Sequence, residues 1–487
     1  MKKFNTKLAA ALVLSLTAVV TSCTGGNNGT QSIENPVEAY NGEAVTIKFY
    51  STMGTNLVEK LTPAIERFNE IYPNITVEHT SVGSYDDVRD QIKTEISVGA
   101  QPNLAYCYPD HVALYNAAHA VRTLDDFINS EISQPTFEED TTARTEAPMG
   151  FTQAQIADFI SGYYEEGRQF GDNKMYTLPF SKSTEVLYYN KTFFDEHKLS
   201  VPTNWDEVET VARQIKAIEP NSIPLGYDSE ANWFITLAEQ YGNAYTQSAE
   251  RVEDRFLFDN AGNKELMKKI GGWYKDGLVT TQKLYGSYTS GLFTNLTAND
   301  EGVLVRSLMC IGSSAGATHQ RPTKGANGYP FEVGIAPVPQ KDAAHGKVIS
   351  QGPSITMFKS TPQQEAATWL LMKFLTTDIS FQAEFSMASG YMPVLKSVET
   401  NEYYVNEFLS KADGGDYIAA LSAKAAFEQK DSYYTSPAFI GSSVARDNVG
   451  ELVVSVMSQA SKPEGLTDAS LNQIFADTID ECIYNTK

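Results

Sequence analysis

The chain has 487 residues, of which 42% are hydrophobic and 20% are charged, and its formal net charge at pH 7 is -22. A chain of this length is too long for one hydrophobic core, so we expect two lobes. The negative charge argues against nucleic acid and anionic lipid surfaces as partners, because both would repel the protein.

The N-terminal segment predicts export from a bacterial cell. Residues 1–22 begin with basic side chains, continue with an apolar stretch from Leu8 to Val20 and end in small residues. This is the layout of a cleavable signal peptide. The cleavage region, Val-Thr-Ser-Cys, resembles a bacterial lipobox, in which the cysteine is lipidated; here it is Cys23. An ordinary signal peptide that happens to contain a cysteine is the alternative.

Residues 23–42 predict a lipid-anchored flexible tether, because they are rich in Gly, Asn, Thr and Ser and contain few apolar side chains. Later stretches lack the run of about 18 apolar residues that a membrane-spanning helix needs. We therefore expect an exported, lipid-anchored protein of the bacterial cell envelope, periplasmic or on the outer face of the membrane. Its contact with the membrane is expected through the anchor only.

After the tether, strand-like and helix-like segments alternate. Residues 45–53 alternate apolar and polar side chains like a strand, and apolar residues then recur at helical spacing from Leu57 to Ile71. Two more strands are predicted at 74–82 and 103–108, with a helix between them. This β-α-β-α order predicts a mainly parallel sheet with helices on both faces. Such sheets bind ligands beside the carboxyl ends of their strands.

Two later helices have recognisable start sequences. Asn204 precedes a helical run with Glu207 at its third position, and Thr361 precedes Pro362 with Gln364 at the third position. Both patterns predict a capping box, in which the first and fourth residues bond to each other's backbone N–H groups.

Residues 174–208 carry a resemblance to a known family. The stretch KMYTLPFSKSTEVLYYNKTFFDEHKLSVPTNWDEV contains a strand, a Tyr-Tyr-Asn-Lys turn and a Pro-x-x-Trp helix start in that order. It resembles the signature region of the family 1 extracellular solute-binding proteins of ABC importers. The stretches VGIAPVPQK, SQGPSITMFKS and SGYMPVLKSV follow in family order. The glycerol-3-phosphate-binding branch is the most similar, and sugar-binding branches share much of the pattern.

The resemblance implies an α/β fold of the periplasmic-binding-protein type II class, with two α/β lobes joined by crossing hinge strands. The hinge strands are expected at 174–180, 335–341 and 390–395. Lobe 1 is expected to comprise residues 43–178 plus 340–392, and lobe 2 residues 179–339 plus 393–487.

The resemblance also implies a function. The protein is expected to be a substrate-binding lipoprotein that captures a small polar solute in an interlobe cleft and delivers it to an ABC permease with its ATPase. The solute would be a sugar, an oligosaccharide or a glycerol-3-phosphate-like molecule. We expect a monomer that needs no cofactor and no metal and binds no nucleic acid. The alternative is a surface lipoprotein of the same fold that acts as a chemoreceptor adaptor or an adhesin.

A serine hydrolase is a remote alternative, because residues 312–316 fit the G-x-S-x-G pattern. A nucleophile elbow needs a helix after the serine, and the following stretch ATHQRPTKGANGYP does not predict one. The nearest acid and histidine pair downstream, Asp342 and His345, is too local for the hydrolase topology. We therefore expect a protein that is not an enzyme.

Arg446 is the most informative charged residue. Its position resembles that of the arginine that grips phosphate in the glycerol-3-phosphate binders, and a guanidinium can bond a phosphate or two hydroxyls bidentately. An ordinary solvated arginine is the alternative. Where those binders carry a glutamate for the glycerol hydroxyls, this chain has Pro109 with Asp110 beside it. This departure weakens the phosphate interpretation.

Aromatic side chains are the other ligand candidates, because the C–H face of a sugar or of glycerol stacks well on a ring. Trp233, Tyr85 and Tyr391 could serve in this way, with core packing as the alternative for each. For the aromatic residues of the Tyr-Tyr-Asn-Lys region, core packing is the favoured interpretation. The full set of predicted ligand-binding residues is Tyr85, Asp110, Ser183, Trp233, Ser314, Gly352, Tyr391 and Arg446.

Overall fold

The computed structural model describes residues 34–137, 144–411 and 417–486. The predicted signal peptide and Cys23 lie outside this part of the chain. The strands are β1 (Val45–Ser51), β2 (Ile75–Ser81), β3 (Leu104–Cys107), β4 (Ser133–Phe137), β5 (Arg144–Pro148), β6 (Leu178–Pro179), β7 (Ser183–Asn190), β8 (Leu225–Tyr227), β9 (Val279–Thr281), β10 (Met309–Ser313), β11 (Val333–Ala336), β12 (Val348–Gln351), β13 (Ser354–Met357) and β14 (Tyr433–Tyr434).

Helices cover the sheets and make up most of the remaining regular structure. They are α1 (Thr55–Ile71), α2 (Tyr85–Ile96), α3 (Pro109–Ala117), α4 (Asp125–Ile128), α5 (Gln153–Asp158), α6 (Ser161–Glu166), α7 (Lys191–His197), α8 (Trp205–Ile218), α9 (Glu230–Tyr241), α10 (Ala261–Lys275), α11 (Gln282–Tyr285), α12 (Ser290–Phe293), α13 (Pro362–Thr377), α14 (Ile379–Ser389), α15 (Lys396–Thr400), α16 (Glu402–Tyr404), α17 (Tyr417–Glu428), α18 (Ser442–Ala460) and α19 (Asp468–Thr486). In the part of the chain that is described, none of these helices is both long and apolar enough to cross a membrane.

The first lobe is built on a five-stranded sheet with the order β2-β1-β3-β13-β6. β1 pairs in parallel with β2 and with β3, as the β-α-β-α order predicts. Along β1 the side chains alternate between buried and more exposed positions, because one face packs against the core. Helix α3 begins two residues after the carboxyl end of β3 and contacts α18.

The second lobe is built on a seven-stranded sheet with the order β14-β12-β7-β10-β8-β9, in which β11 also pairs with β7. β7 is its longest strand, and nearly all of its residues are buried. β11 pairs with the end of β7 near Asn190, whereas β12 pairs with the beginning near Thr184. β7 therefore organises this lobe, and its first residues lie closest to the first lobe.

Three segments meet where the chain passes between the lobes. The chain leaves β6 and enters β7 through residues 180–182, and it returns from β12 to β13 through Gly352 and Pro353. Met392 pairs with Lys182 beside these segments, with Lys182 N donating to Met392 O at 3.2 Å. Gly352 has φ +106°, and a Cβ there would lie 2.7 Å from Ser181 O, so only glycine fits this crossing.

The predicted hinge strands and lobe boundaries are partly wrong. Residues 335–341 do not cross between lobes, because β11 pairs with β7 inside the second sheet. β12 belongs to the second sheet, whereas its residues were predicted in lobe 1. Helices α15 and α16 pack on α14 of the first lobe, whereas their residues were predicted in lobe 2. Strand pairing, which local sequence does not reveal, decides these memberships.

The predicted tether extends too far along the chain. Asn35 Nδ2 donates to Ser360 O at 3.0 Å, and Arg122 Nη2 donates to Asn35 O at 2.8 Å. Asn41 N donates to Gln363 Oε1 at 2.9 Å. These polar residues thus bind the first lobe near the start of α13, and the prediction of a flexible tether is wrong for residues 35–42.

Candidate functional site

Two cavities lie between the lobes. The larger, which we call the main cleft, has a volume of about 750 Å³ and is lined by the second lobe together with Ser389 and Tyr391 of the first. The smaller, which we call the back chamber, has a volume of about 190 Å³ and is lined by both lobes. Arg446 and Gln351 line both cavities, so they lie where the two meet.

A chain of hydrogen bonds leads from the core of the second lobe to Arg446. The Arg446 Nη2 group donates to Asn232 Oδ1 and, at 3.4 Å, to Gln351 Oε1. Asn232 Nδ2 in turn donates to Glu185 Oε1 at 2.7 Å, and the Tyr227 hydroxyl donates to Glu185 Oε2. Within the described residues Arg446 forms no ion pair with a carboxylate. Its charge is therefore held in place by amides and is available to a ligand.

Glu185 is a buried carboxyl in the middle of this network. Burial raises the pKa of Glu185 to about 7, while the hydrogen bonds from Tyr227 and Asn232 and the charge of Arg446 act to lower that pKa. Near neutral pH, Glu185 is thus poised between its charged and neutral forms. It can accept a hydrogen bond when ionised, and it can also donate one when protonated.

The second lobe supplies more carboxylates to the main cleft. Asp228, just after β8, accepts from Thr289 N at 2.6 Å and from the Thr289 hydroxyl at 2.7 Å. Burial raises the pKa of Asp228. Glu230, at the start of α9, accepts from Lys283 N at 2.7 Å. With Glu185 and Asp447, these groups make the cleft wall rich in hydrogen-bond acceptors.

Helix α9 explains why neighbouring residues have different surroundings. The Ser229 side chain caps this helix by accepting from Asn232 N at 3.2 Å. Successive helical residues point about 100° apart, so Asn232 faces Glu185 and the cleft while Trp233 faces the core. Trp233 is fully buried, and its ring stacks on Tyr227 with centroids 4.8 Å apart. The prediction that Trp233 stacks on a ligand is therefore wrong.

The structure brings four of the other predicted residues to the two cavities. Arg446 lines both, Tyr391 lines the main cleft, and Asp110 and Gly352 line the back chamber. The three remaining residues lie elsewhere.

Ser183 and Ser314 are buried within the second lobe and line neither cavity. Ser183 pairs with Gln351 in the sheet. Ser314 Oγ accepts from Thr184 N at 3.2 Å, which fixes the turn after β10. Ser314 has no histidine or carboxylate hydrogen-bonded to its hydroxyl in the described residues, and it is the first residue of a short 3₁₀ helix, Ser314–Gln320. Its surroundings therefore differ from those of a hydrolase nucleophile.

Tyr85 belongs to a cluster of tyrosines on the first-lobe side of the crossing. Its ring lies 4.3 Å from that of Tyr108 and 6.1 Å from that of Tyr106, measured between centroids. Burial raises the pKa of the Tyr85 hydroxyl, and neighbouring tyrosines, Tyr391 among them, raise that pKa further. Tyr85 lines neither cavity, and it supports Tyr108, which lines the back chamber.

Several residues of the site were missed by sequence reasoning. Glu185 is the only carboxylate in β7, and a charged residue in such an apolar strand is a recognisable sign of a special role. Asp228 directly follows a strand that pairs in parallel, which is where α/β sheets place ligand groups. Asn232 and Gln351 carry no comparable sign. Among the residues that the structure describes, no group of three or more His, Cys, Asp or Glu side chains is arranged to hold a metal ion.

Comparisons with known proteins agree with this architecture. The family model for bacterial extracellular solute-binding proteins matches residues 63–412. The protein BAB2_0491 of Brucella abortus (strain 2308) is 24% identical over 366 residues, which cover 74% of this chain and 78% of that protein. The sn-glycerol-3-phosphate-binding periplasmic protein UgpB of Escherichia coli (strain K12) is 26% identical over 201 residues, which cover 40% of this chain and 41% of that protein.

A solved structure supports the fold directly. The cyclic alpha-maltosyl-1,6-maltose binding protein from Arthrobacter globiformis matches with a TM-score of 0.67 at 16% identity, covering 90% of this chain and 99% of that chain. At this identity the match shows the fold alone. It confirms the expected two-lobed α/β architecture of the periplasmic-binding-protein type II class.

Proposed function

The chain belongs to the family of bacterial extracellular solute-binding proteins, and from this we propose that it is the substrate-binding component of an ABC importer for a saccharide. The observation that carries the proposal is the main cleft between the lobes, where Arg446, Asn232 and Glu185 form one hydrogen-bonded network. A solute that contacts this network from one lobe and Tyr391 from the other would stabilise the closed arrangement of the lobes.

The chemistry of the main cleft favours a neutral polyhydroxylated solute. Four acidic side chains line the main cleft, those of Glu185, Asp228, Glu230 and Asp447. Arg446 and Lys283 are the basic side chains in the same lining. Lys283 Nζ is already paired with Glu451 at 2.5 Å. Sugar hydroxyls can donate to carboxylates and accept from a guanidinium, whereas a phosphate would be repelled by the carboxylates. The saccharide in the name of the Arthrobacter protein is consistent with this choice.

A glycerol-3-phosphate-like ligand is the second candidate. It is favoured by Arg446, which has no carboxylate partner among the described residues and could bond a phosphate bidentately. The similarity to UgpB points the same way. The carboxylates around the cleft are the reason to rank this ligand below a saccharide.

We further propose that the protein acts outside the cytoplasm, held by a lipid on Cys23. The lipobox-like sequence supports this anchor. The loaded protein would deliver its solute to a permease whose ATPase lies on the other side of the membrane. It would act as a monomer, and it would be a binding protein rather than an enzyme.

A thermal-shift screen followed by calorimetry tests the proposed solute. The panel contains malto- and xylo-oligosaccharides, glycerol-3-phosphate and glycerophosphodiesters. A true ligand at 100 times its Kd stabilises the folded protein by about 2.7 kcal/mol. We expect stabilisation by a saccharide. Stabilisation by glycerol-3-phosphate alone would establish the second candidate, and stabilisation by nothing in the panel would contradict the saccharide proposal and favour an adaptor or an adhesin.

A further inference from the structure

We propose that residues 35–43, which we call the strap, attach the lipid-bearing segment to one end of the first lobe, so that this lobe is held at the membrane and closure moves the second lobe relative to it. The inference rests on the proposed lipid on Cys23 and makes it more specific, because it says which lobe the anchor holds and at which end. The lipid bilayer is then the neighbour of that end of the first lobe.

The strap begins on a buried ion pair of the first lobe. Arg122 Nε donates to Glu365 Oε2 at 3.1 Å, and both side chains are almost completely buried. Asn35 bonds to both members of the pair, because its Nδ2 donates to Glu365 Oε1 at 3.1 Å and its carbonyl oxygen accepts from Arg122 Nη2 at 2.8 Å. Hydrogen bonds to charged groups are stronger than those between neutral groups. Release of the strap would therefore remove two strong hydrogen bonds from a buried pair.

Further contacts follow along the strap. Asn41 N donates to Gln363 Oε1 at 2.9 Å, and Asn74 Nδ2 donates to the carbonyl oxygen of Gly42 at 2.7 Å. Tyr40 packs against the hydrophobic core. The strap is thus bound to the first lobe at its start, its middle and its end, as a segment of the folded lobe is.

The strap lies at the opposite end of the first sheet from the cleft. Asn74 directly precedes β2, and Ser360, whose carbonyl oxygen accepts from Asn35 Nδ2 at 3.0 Å, follows β13, which runs antiparallel to β3. These contacts are at the amino ends of the parallel strands. Tyr108, which lines the back chamber, directly follows the carboxyl end of β3. A strand of seven residues such as β1 separates its two ends by about 20 Å.

The strap also limits how far the first lobe can be from the lipid. Residues 24–34 separate Cys23 from the strap, so twelve steps between successive Cα atoms lead from Cys23 to Asn35. At about 3.6 Å each, these steps span at most about 43 Å. Without the strap contacts the free segment would extend to Ala44, and its greatest span would be about 75 Å. The strap therefore keeps the first lobe close to the membrane and leaves the second lobe free to move.

Fluorescence energy transfer from labelled protein to acceptor lipids tests the inference. The full lipidated chain is placed in phosphatidylcholine vesicles, with a donor dye on Ala44→Cys, beside the strap, or on Ser461→Cys, after α18 of the second lobe; both positions are exposed. The other cysteines of the described residues are buried and should not be labelled. We expect transfer to be at least about twofold more efficient from position 44, because the anchor keeps the start of the strap within about 43 Å of the lipid.

A double variant loosens the strap. Asn35→Ala with Gln363→Ala removes side-chain bonds at both places and should lower the transfer from position 44, because the free segment becomes longer. Asn406→Ala with Gln153→Ala, at two exposed positions, is the matched control and should leave the transfer unchanged. Equal transfer from the two labelled positions, or transfer that the double variant does not change, would overturn the inference while leaving the lipid anchor intact.

Hydrogen exchange provides a measurement that does not need the lipid. In the unlipidated Cys23→Ser protein, the amides of residues 36–43 should exchange slowly, and the double variant should speed their exchange without changing that of the second lobe. Exchange of these amides at the rate of an unfolded chain would overturn the inference. Failure of the wild-type protein to associate with vesicles would overturn both the inference and the proposed anchor.

Discussion

At the scale of single residues, the site depends on one carboxyl that is buried where a charge is costly. Glu185 has hydrogen bonds from Tyr227 and Asn232, yet burial raises its pKa to about 7 from an ordinary value of 4.5. The folded protein therefore binds the Glu185 proton more tightly than the unfolded chain does. The contribution of Glu185 to the free energy of unfolding is fully present below pH 4.5, and it is lost as the pH rises through 7.

Glu185→Gln should remove this pH dependence, because the amide resembles the protonated carboxyl. We expect the ligand-free variant to match the wild-type protein near pH 4.5 and to be more stable by about 3 kcal/mol near pH 8. Urea unfolding at several pH values measures the difference. A difference in the free energy of unfolding between variant and wild type that does not change with pH would show that folding does not raise the pKa of Glu185.

Trp233→Phe should lower the stability of the fold without weakening ligand binding. The indole is fully buried against Tyr227, so losing part of it should lower the free energy of unfolding by about 2 kcal/mol. The affinity of the folded variant for its solute should change less than about threefold, because Trp233 lines neither cavity. A large loss of affinity with no loss of stability would place the ring in the site after all.

At the scale of secondary-structure elements, the crossing between the lobes is fixed by a buried ion pair. Lys182 Nζ contacts the Glu166 carboxylate and also donates to Gly352 O at 3.0 Å and to Ser354 Oγ at 2.9 Å. Lys182 is completely buried, and burial lowers the pKa of its amine. The pair ties β7's beginning to α6 and β13 of the first lobe.

Lys182→Met should be strongly destabilising, because it leaves the Glu166 carboxylate buried and without its cation. Breaking such a pair typically costs about 3–5 kcal/mol. The double variant Lys182→Met with Glu166→Leu should recover much of that loss, since no unpaired charge remains. Urea unfolding of both single variants and the double variant forms a thermodynamic cycle. Losses that simply add would show that the two side chains are not coupled.

Local patterns predicted the elements better than the connections between them. Thr361 forms the predicted capping box with Gln364, and the Asn204 side chain caps α8 by accepting from Glu207 N at 2.9 Å. The Glu207 carboxylate accepts from Thr203 N at 2.8 Å, a bond that the predicted capping box does not include. The crossing at Gly352 was not predicted, since only two residues separate β12 from β13 and strand pairing decides which sheet each joins.

The candidate site was predicted in part for a related reason. Arg446 was chosen because its position resembles that of a phosphate-binding arginine in the family, and it lines both cavities. Trp233 was chosen over Asn232 although the two are adjacent, because helical periodicity does not say which face of α9 meets the cleft. The partners of Arg446 come from α9 and β12, which are far apart in sequence. Only the tertiary fold brings them together.

At the scale of the whole molecule, we propose that a lipid on Cys23 holds the two-lobed protein outside the cytoplasm. Cys23→Ser should abolish lipidation, so the variant should partition into the aqueous phase of a detergent extraction while the wild-type protein enters the detergent phase. Cys482→Ser, at a buried cysteine far from the N-terminus in sequence, is the control and should behave like the wild type. A Cys23→Ser variant that still enters the detergent phase would contradict the lipid anchor.

The central claim is that a saccharide binds between the lobes at Arg446. The most direct test is calorimetric titration of the saccharide found in the screen into the wild-type protein, Arg446→Ala and Arg446→Lys. Arg213→Ala is the matched control, because Arg213 is paired with Glu209 and Asp276 on the exposed surface. Loss of hydrogen bonds from a charged donor should weaken binding by about 1.5–3 kcal/mol in Arg446→Ala. Lysine should restore part of this loss, and Arg213→Ala should bind normally. Unchanged saccharide affinity in Arg446→Ala would contradict the account.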